Sequence, residues 1–326
     1  MIDKNFVFRL MAVFIIVLFL CLPVRANAQT TANRSARDMQ FTSGQSALKI
    51  PFHITDGGHI FLHLRINNGS RPLWFGFDSG AEQTLISSKQ AKALGLKLRG
   101  EMKATGGGEE EVDFSLTGNV SFELPGVKFV LKEVGVLPLE FPSPVAGESV
   151  GGLLGYDFIS RFVVEVDYAA RTINLYDPRK YRYRGNGQTV AVRMLDNNPH
   201  VSARVSLPGL APIQAMFLID SGADTNIFFY SPFVVKHKLL ESSQLTTEAQ
   251  VAGIGGTSKI RIGTATSIQL GRTVIENPVV HFSQAVKGDS ASTVSAGFIG
   301  GKLLRQFKVV IFDQTRSRII LEPKTS

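Results

Sequence analysis

The chain has 326 residues, of which 44% are hydrophobic and 19% charged. This composition excludes a disordered or collagen-like polymer, and the length suits about two domains of ordinary size. The net charge of +8 is scattered, without a basic run or interleaved aromatics, which excludes a nucleic-acid interface of the usual kind, and the single cysteine, Cys21, excludes a disulfide framework.

Lys4 and Arg9 precede an apolar run from Met11 to Leu22, and Ala26-Asn27-Ala28 is a small-residue cleavage pattern. Together they predict a secretory signal peptide over 1–28. The run is short for a bilayer span, so membrane contact is expected only if the segment stays uncleaved. Cleavage removes Cys21 together with Asp3, Lys4, Arg9 and Arg25, leaving no thiol and a net charge of about +6. An exported chain without disulfides fits the periplasm or exterior of a Gram-negative bacterium. Residues 29–47 are polar and aperiodic and read as a flexible leader.

From Leu48 the pattern changes to short strands. Ile50–Ile54 and an alternating His59–Ile66 flank the hairpin signal Thr55-Asp56-Gly57-Gly58. Asn67-Asn68-Gly69-Ser70 turns the chain into Leu73–Phe77, an apolar run that delivers Asp78-Ser79-Gly80-Ala81-Glu82. A short helix is predicted over Ser87–Ala93, with Ser at its N-cap and Gly95 as its stop. The cluster Gly106–Gly108 and further strands through Val136 follow. Gly152-Leu153-Leu154-Gly155 then precedes a short helix at Asp157–Arg161 and a closing hairpin through Tyr176.

Residues 179–187, basic and glycine-bearing, read as a linker between a first lobe at 48–178 and a second at 188–326. The second lobe repeats the first. Ala215–Ile219 delivers Asp220-Ser221-Gly222-Ala223-Asp224, and Ser231-Pro232 is expected to cap a helix. Gly253–Gly256 matches the first glycine cluster, and Gly297-Phe298-Ile299-Gly300 answers Gly152–Gly155. Asp78 and Asp220 are 142 residues apart, Gly155 and Gly300 145, and Asp167 and Asp313 146. So constant an offset marks a duplication into two similar lobes rather than a solenoid.

One Asp-Ser-Gly is an ordinary turn sequence. Two copies at equivalent places, each fed by an apolar strand, bring together two partly desolvated carboxylates. Such a pair cannot easily ionise twice, so its titrations split. One group can then act as base towards a water while the other, protonated, donates to a carbonyl oxygen.

The phrase Asp-Ser-Gly-Ala-Glu/Asp, with Leu153-Leu154-Gly155 and Phe298-Ile299-Gly300, resembles the retropepsin-type aspartic proteases, in a single-chain form with two units fused in tandem. The resemblance covers about 48–323. It implies an all-β fold of two tandem retropepsin-like β-barrel lobes with a few short helices and a cleft between them. It implies an aspartic endopeptidase acting on peptide or protein substrates, with no cofactor or metal, as a monomer that forms an internal pseudo-dimer. Asp78 and Asp220 would be the catalytic pair, and Ser79, Ser221, Gly80 and Gly222 would lock the loops and admit the substrate backbone. Ala81, Glu82, Ala223 and Asp224 would contact substrate, and Gly107 and Gly255 would sit in mobile flaps. The second half departs from the pattern at Gly301-Lys302, where the first keeps Asp157. His59 and His63 share one strand face and His53 lies on its neighbour, but no cysteine or close carboxylate completes a metal set. The rival reading is a secreted, non-catalytic peptide- or envelope-binding protein on the same scaffold.

Overall fold

The structure, a computed structural model, describes residues 14–15, 39–138, 144–145, 148–241 and 246–324. Strands account for 52% and helices for 9%, so the all-β expectation holds. Burial along the strands shows why they form. Val120–Leu124 and Val127–Leu131 alternate between buried and half-buried positions, the period of a strand with one face on a core. The strands that end at the two aspartates differ. Leu73–Phe77 and Ile213–Asp220 are buried on both faces at their C-terminal ends. Each runs parallel to a later strand of its own half, Val150–Leu154 or Gly297–Gly300. The strand leaving each aspartate loop, Leu85–Ser87 or Ile227–Phe229, comes back antiparallel to that same later strand. Neighbours on both faces explain why these segments read as continuous apolar runs.

The two halves meet in a six-stranded antiparallel sheet. Its order is Ser46–Ile54, Thr172–Tyr176, Val163–Asp167, Phe307–Asp313, Arg318–Pro323 and Gln188–Leu195, three strands from each half. The central register pairs Glu165 with Ile311 and Val166 with Val310, so a pseudo-twofold axis passes between Val163–Asp167 and Phe307–Asp313. One apolar core crosses this boundary. Phe77 meets Phe158 of its own half and Phe312 of the other, with ring centroids 6.4 and 5.6 Å apart. Truncating such an aromatic to alanine typically costs about 3–5 kcal/mol, so Phe77 anchors the floor beneath Asp78 to both halves.

Local signals were partly realised. The helix Ser88–Ala93 is capped as predicted, the Ser87 hydroxyl accepting from the Gln90 N–H at 3.2 Å. Its counterpart Ser231–Lys236 is not capped by Ser231. Tyr230 is the N-cap without a side-chain bond, and the Ser231 hydroxyl donates to the Ala285 carbonyl at 2.6 Å. The stretch 179–187 has no strand or helix but is fastened down. The Tyr183 hydroxyl donates to Glu322 at 2.7 Å and accepts from the Gly187 N–H, while Arg316 donates to the carbonyls of Pro178 and Tyr181.

The stretch read as a flexible leader contains structure in its described part: Met39–Phe41 pairs antiparallel with Val127–Phe129, and Ser46 already belongs to the interlobe sheet. The signal segment lies outside the described residues except for Phe14–Ile15, which run parallel to Ala252–Gly253. Among the described residues no helix is long and apolar enough to cross a membrane.

Candidate active site

Asp78 and Asp220 sit in loops that cross at the pseudo-twofold axis, tied by four hydrogen bonds of matching geometry. The Ser79 N–H donates to the Ser221 hydroxyl at 3.0 Å, and the Ser221 N–H donates to the Ser79 hydroxyl at 3.0 Å. Each hydroxyl then donates onward into the opposite half, Ser79 to the Ile219 carbonyl at 2.7 Å and Ser221 to the Phe77 carbonyl at 3.0 Å. Both serines are buried, so the bonds do not compete with water.

The carboxylates face one another across this lock. Inside its own loop each accepts a backbone N–H through Oδ1, Asp78 from Gly80 and Asp220 from Gly222, both at 2.9 Å. The Oδ2 atom of each is buried and makes no hydrogen bond among the described residues. A Cβ on Gly80 would stand 2.6 Å from the Asp220 Cγ, and one on Gly222 would stand 2.4 Å from the Asp78 Cγ. The glycines are therefore required by the opposite carboxylate.

Both aspartates are fully buried. Burial pushes the Asp78 carboxyl up to about 7, partly opposed by hydrogen bonds from Gly80, Asp220 and Ala81. Asp220 is pushed well above the usual carboxylate range, by burial first and then by the charge of Asp78. Two like charges in one desolvated site resist double ionisation, so the pair holds a proton over a wide pH range.

Each loop is also tied to the helix behind it, with opposite polarity in the two halves. In the first half Asp157, at the start of the helix Tyr156–Ile159, accepts from the Thr84 N–H at 2.8 Å and the Thr84 hydroxyl at 2.5 Å. The same hydroxyl accepts from the Gly155 N–H at 3.2 Å. Burial raises the Asp157 carboxyl to about 6 against the pull of Thr84 and Arg161. In the second half the cation lies on the helix, and Lys302 meets Asp224 at 2.6 Å. The departure at Gly301-Lys302 thus supports the helix Gly301–Leu304 by a reversed version of the same tie. Nearby His281 is driven down to about 4, by burial first and then by Lys302.

The two glycine clusters touch each other. The Gly108 N–H donates to the Ile254 carbonyl at 2.9 Å, and the Glu110 N–H to the Gly255 carbonyl at 2.8 Å. The Gly107 carbonyl accepts from the hydroxyls of Ser258 at 2.9 Å and Ser290 at 3.2 Å. Thr105 donates to Asp289 at 2.9 Å, and the Asp289 N–H donates to the Gly106 carbonyl at 3.1 Å.

The structure brings Asp78, Ser79, Gly80, Asp220, Ser221 and Gly222 into one constellation. Ala81 and Ala223 are buried, and their carbonyls accept from the N–H groups of Tyr156 at 2.9 Å and Gly301 at 2.8 Å. Asp224 is engaged by Lys302 and packed beneath the hairpin of the first half, where a Cβ on Gly57 would stand 2.6 Å from its Cγ. Glu82 is buried. Gly107 and Gly255 lie in the interlocked turns rather than on free loops. Sequence reasoning missed Thr105, Ser258, Asp289 and Ser290. Thr105 and Asp289 lie 184 residues apart, and no local pattern links them.

His63 stacks on Trp74, ring centroids 4.4 Å apart, and His53 meets the same indole edge-on at 6.3 Å. Among the described residues no group of three or more His, Cys, Asp or Glu side chains could hold a metal ion.

No curated protein matches the chain. Residues 62–158 match a family model described as aspartyl protease, a span that includes Asp78, Thr84 and Asp157 and ends before the second Asp-Ser-Gly copy. That match supports an aspartyl protease family for this protein, and with it a peptidase in general.

Proposed function

We propose that the protein is an aspartic endopeptidase in which Asp78 and Asp220 jointly activate a water for attack on a peptide carbonyl. The observation that carries this reading is the reciprocal serine lock, which holds two buried carboxylates in equivalent settings across one axis. With one proton on the pair, the ionised member takes a proton from the water while the protonated member donates to the carbonyl oxygen. Burial raises both carboxyls, and the shared proton belongs to the coupled pair rather than to either aspartate alone. The same residues return a proton to the leaving amine, so no covalent intermediate forms.

Substrate binds extended, through main-chain contacts of the strand-addition kind and apolar side-chain pockets. The interlocked glycine turns act as flaps that part to admit substrate. On this reading residues 48–178 and 188–326 are tandem retropepsin-like lobes of a monomer, exported across the inner membrane with removal of 1–28.

The test is a peptide library incubated with the mature chain, with and without a statine-type inhibitor, beside Asp78→Asn and Asp220→Asn. Each variant should lose about 10²–10⁴-fold in turnover, the usual worth of positioned acid–base groups. Wild-type turnover by either variant refutes the assignment.

A further inference from the structure

The two lobes differ in one place that bears on substrate choice. In the second lobe the strands beside the aspartate loop present Phe228 and Phe298, whose rings stack at 4.7 Å and 6° and join Tyr230 in a cluster made wholly of second-lobe residues. The paired positions of the first lobe are Leu85 and Leu153, matched in the same antiparallel register. These smaller side chains do not close the space by themselves. It is filled by Ile254, the one large apolar residue of the second lobe's glycine turn. Ile254 is 8% exposed and clusters with Leu85, Ala104, Phe114, Leu137 and Leu153, all from the first lobe.

The turn is fastened there by its backbone, the Gly108 and Glu110 N–H groups donating to the Ile254 and Gly255 carbonyls. The first lobe's turn, Gly106–Gly108, has no side chain with which to do the same in return. One lobe therefore carries an apolar pocket occupied from across the interface, while the other has filled its own with aromatic rings.

We propose that Ile254 is the chain's own occupant of a substrate side-chain pocket in the first lobe, and that a branched aliphatic residue of the substrate takes its place when the flaps open. This rests on the proposed peptidase reading and adds a specificity and a self-occupied resting state. The pocket has apolar walls and no hydrogen-bonding group among its clustered side chains, so it favours Ile, Leu or Val over polar or charged residues. Bound substrate must displace Ile254, which raises the apparent KM by the reciprocal of the fraction of time the pocket is open.

Two measurements on the mature chain test this. Amide hydrogen exchange at Gly108 and Glu110 is compared among Asp220→Asn, the same variant with Ile254→Ala, and the same variant with Leu153→Phe. The phenylalanine reproduces the ring of Phe298 and leaves no room for Ile254. Both second substitutions should speed exchange at these amides tenfold or more while leaving exchange in Val163–Asp167 unchanged.

In the active chain, Ile254→Ala should lower KM severalfold for substrates with an aliphatic residue beside the cleaved bond, and should lower it less for substrates with a polar residue there. Leu153→Phe should abolish the aliphatic preference. Unchanged exchange at Gly108 and Glu110 in both variants overturns the proposal, as does a cleavage profile indifferent to both substitutions. If exchange responds but no peptide is cleaved by the wild type, the peptidase reading fails and the occupied pocket stands.

Discussion

Replacing Ser221 by alanine removes one hydroxyl that serves both sides of the axis. It leaves the buried Ser79 N–H without its acceptor and takes a donor from the Phe77 carbonyl. A buried donor left unmade costs about 1–3 kcal/mol, and the loss of an ordinary hydrogen bond to the carbonyl adds about 0.5–1.5 kcal/mol. The expected loss is about 3 kcal/mol, a large share of the roughly 5–15 kcal/mol that holds a domain together. For a chain this large it should lower Tm by about 4–5 °C. Ser79→Ala removes the mirror set, leaving the Ser221 N–H and the Ile219 carbonyl, so it should cost the same within about 1 kcal/mol. Urea midpoints for both variants at one pH measure this, with m-values checked for two-state behaviour. A cost below about 0.5 kcal/mol for either serine, less than one hydrogen bond, would refute the idea that the crossed loops hold the site together.

Other outcomes follow from the same geometry. Asp78 binds its proton more tightly in the folded chain, so its stabilising contribution is full below pH 3.8 and is lost as pH rises towards about 7. Wild-type stability should therefore fall across that window. Asp78→Asn, neutral in both states, should make the fall shallower, leaving the slopes from Asp220, still raised by burial, and from Asp157, raised to about 6; parallel urea curves for wild type and variant contradict this. Gly222→Ala puts a methyl 2.4 Å from the Asp78 Cγ and should cost about 1–3 kcal/mol and abolish turnover. A fully active Gly222→Ala protein would mean that the carboxylates are not held face to face. Thr84→Val removes the hydroxyl between Asp157 and the Gly155 N–H and should cost about 1–3 kcal/mol by calorimetry. No change in Tm would show that the loop does not lean on the helix.

What was legible in the sequence was what repeats or what is local. The two Asp-Ser-Gly phrases, the apolar strands feeding them and the Ser87 cap could be read because period, turn chemistry and capping are written in adjacent residues. Met39–Phe41 was hidden because an edge strand is held mainly by main-chain bonds, and Met-Gln-Phe carries too short a pattern to register. The crowding of Gly80 and Gly222 by a carboxylate could not be read because that carboxylate lies on the other copy of the phrase. The departure at Gly301-Lys302 could not be read as a tie because the partner of Lys302, Asp224, lies in the loop that the helix faces, 78 residues earlier in the chain. The bonds among Thr105, Asp289, Gly107 and Ser258 join segments 151 to 184 residues apart, and only the folded chain brings them together.

The central claim is that Asp78 and Asp220 share one proton in a buried site. Carbon-13 NMR or infrared titration of the aspartate carboxyls, comparing wild type with Asp78→Asn and Asp220→Asn, measures it directly. The account predicts one carboxyl signal that stays protonated through pH 6 in the wild type and changes its titration in both variants. Two carboxyls that each ionise near pH 4, independent of one another, would contradict it.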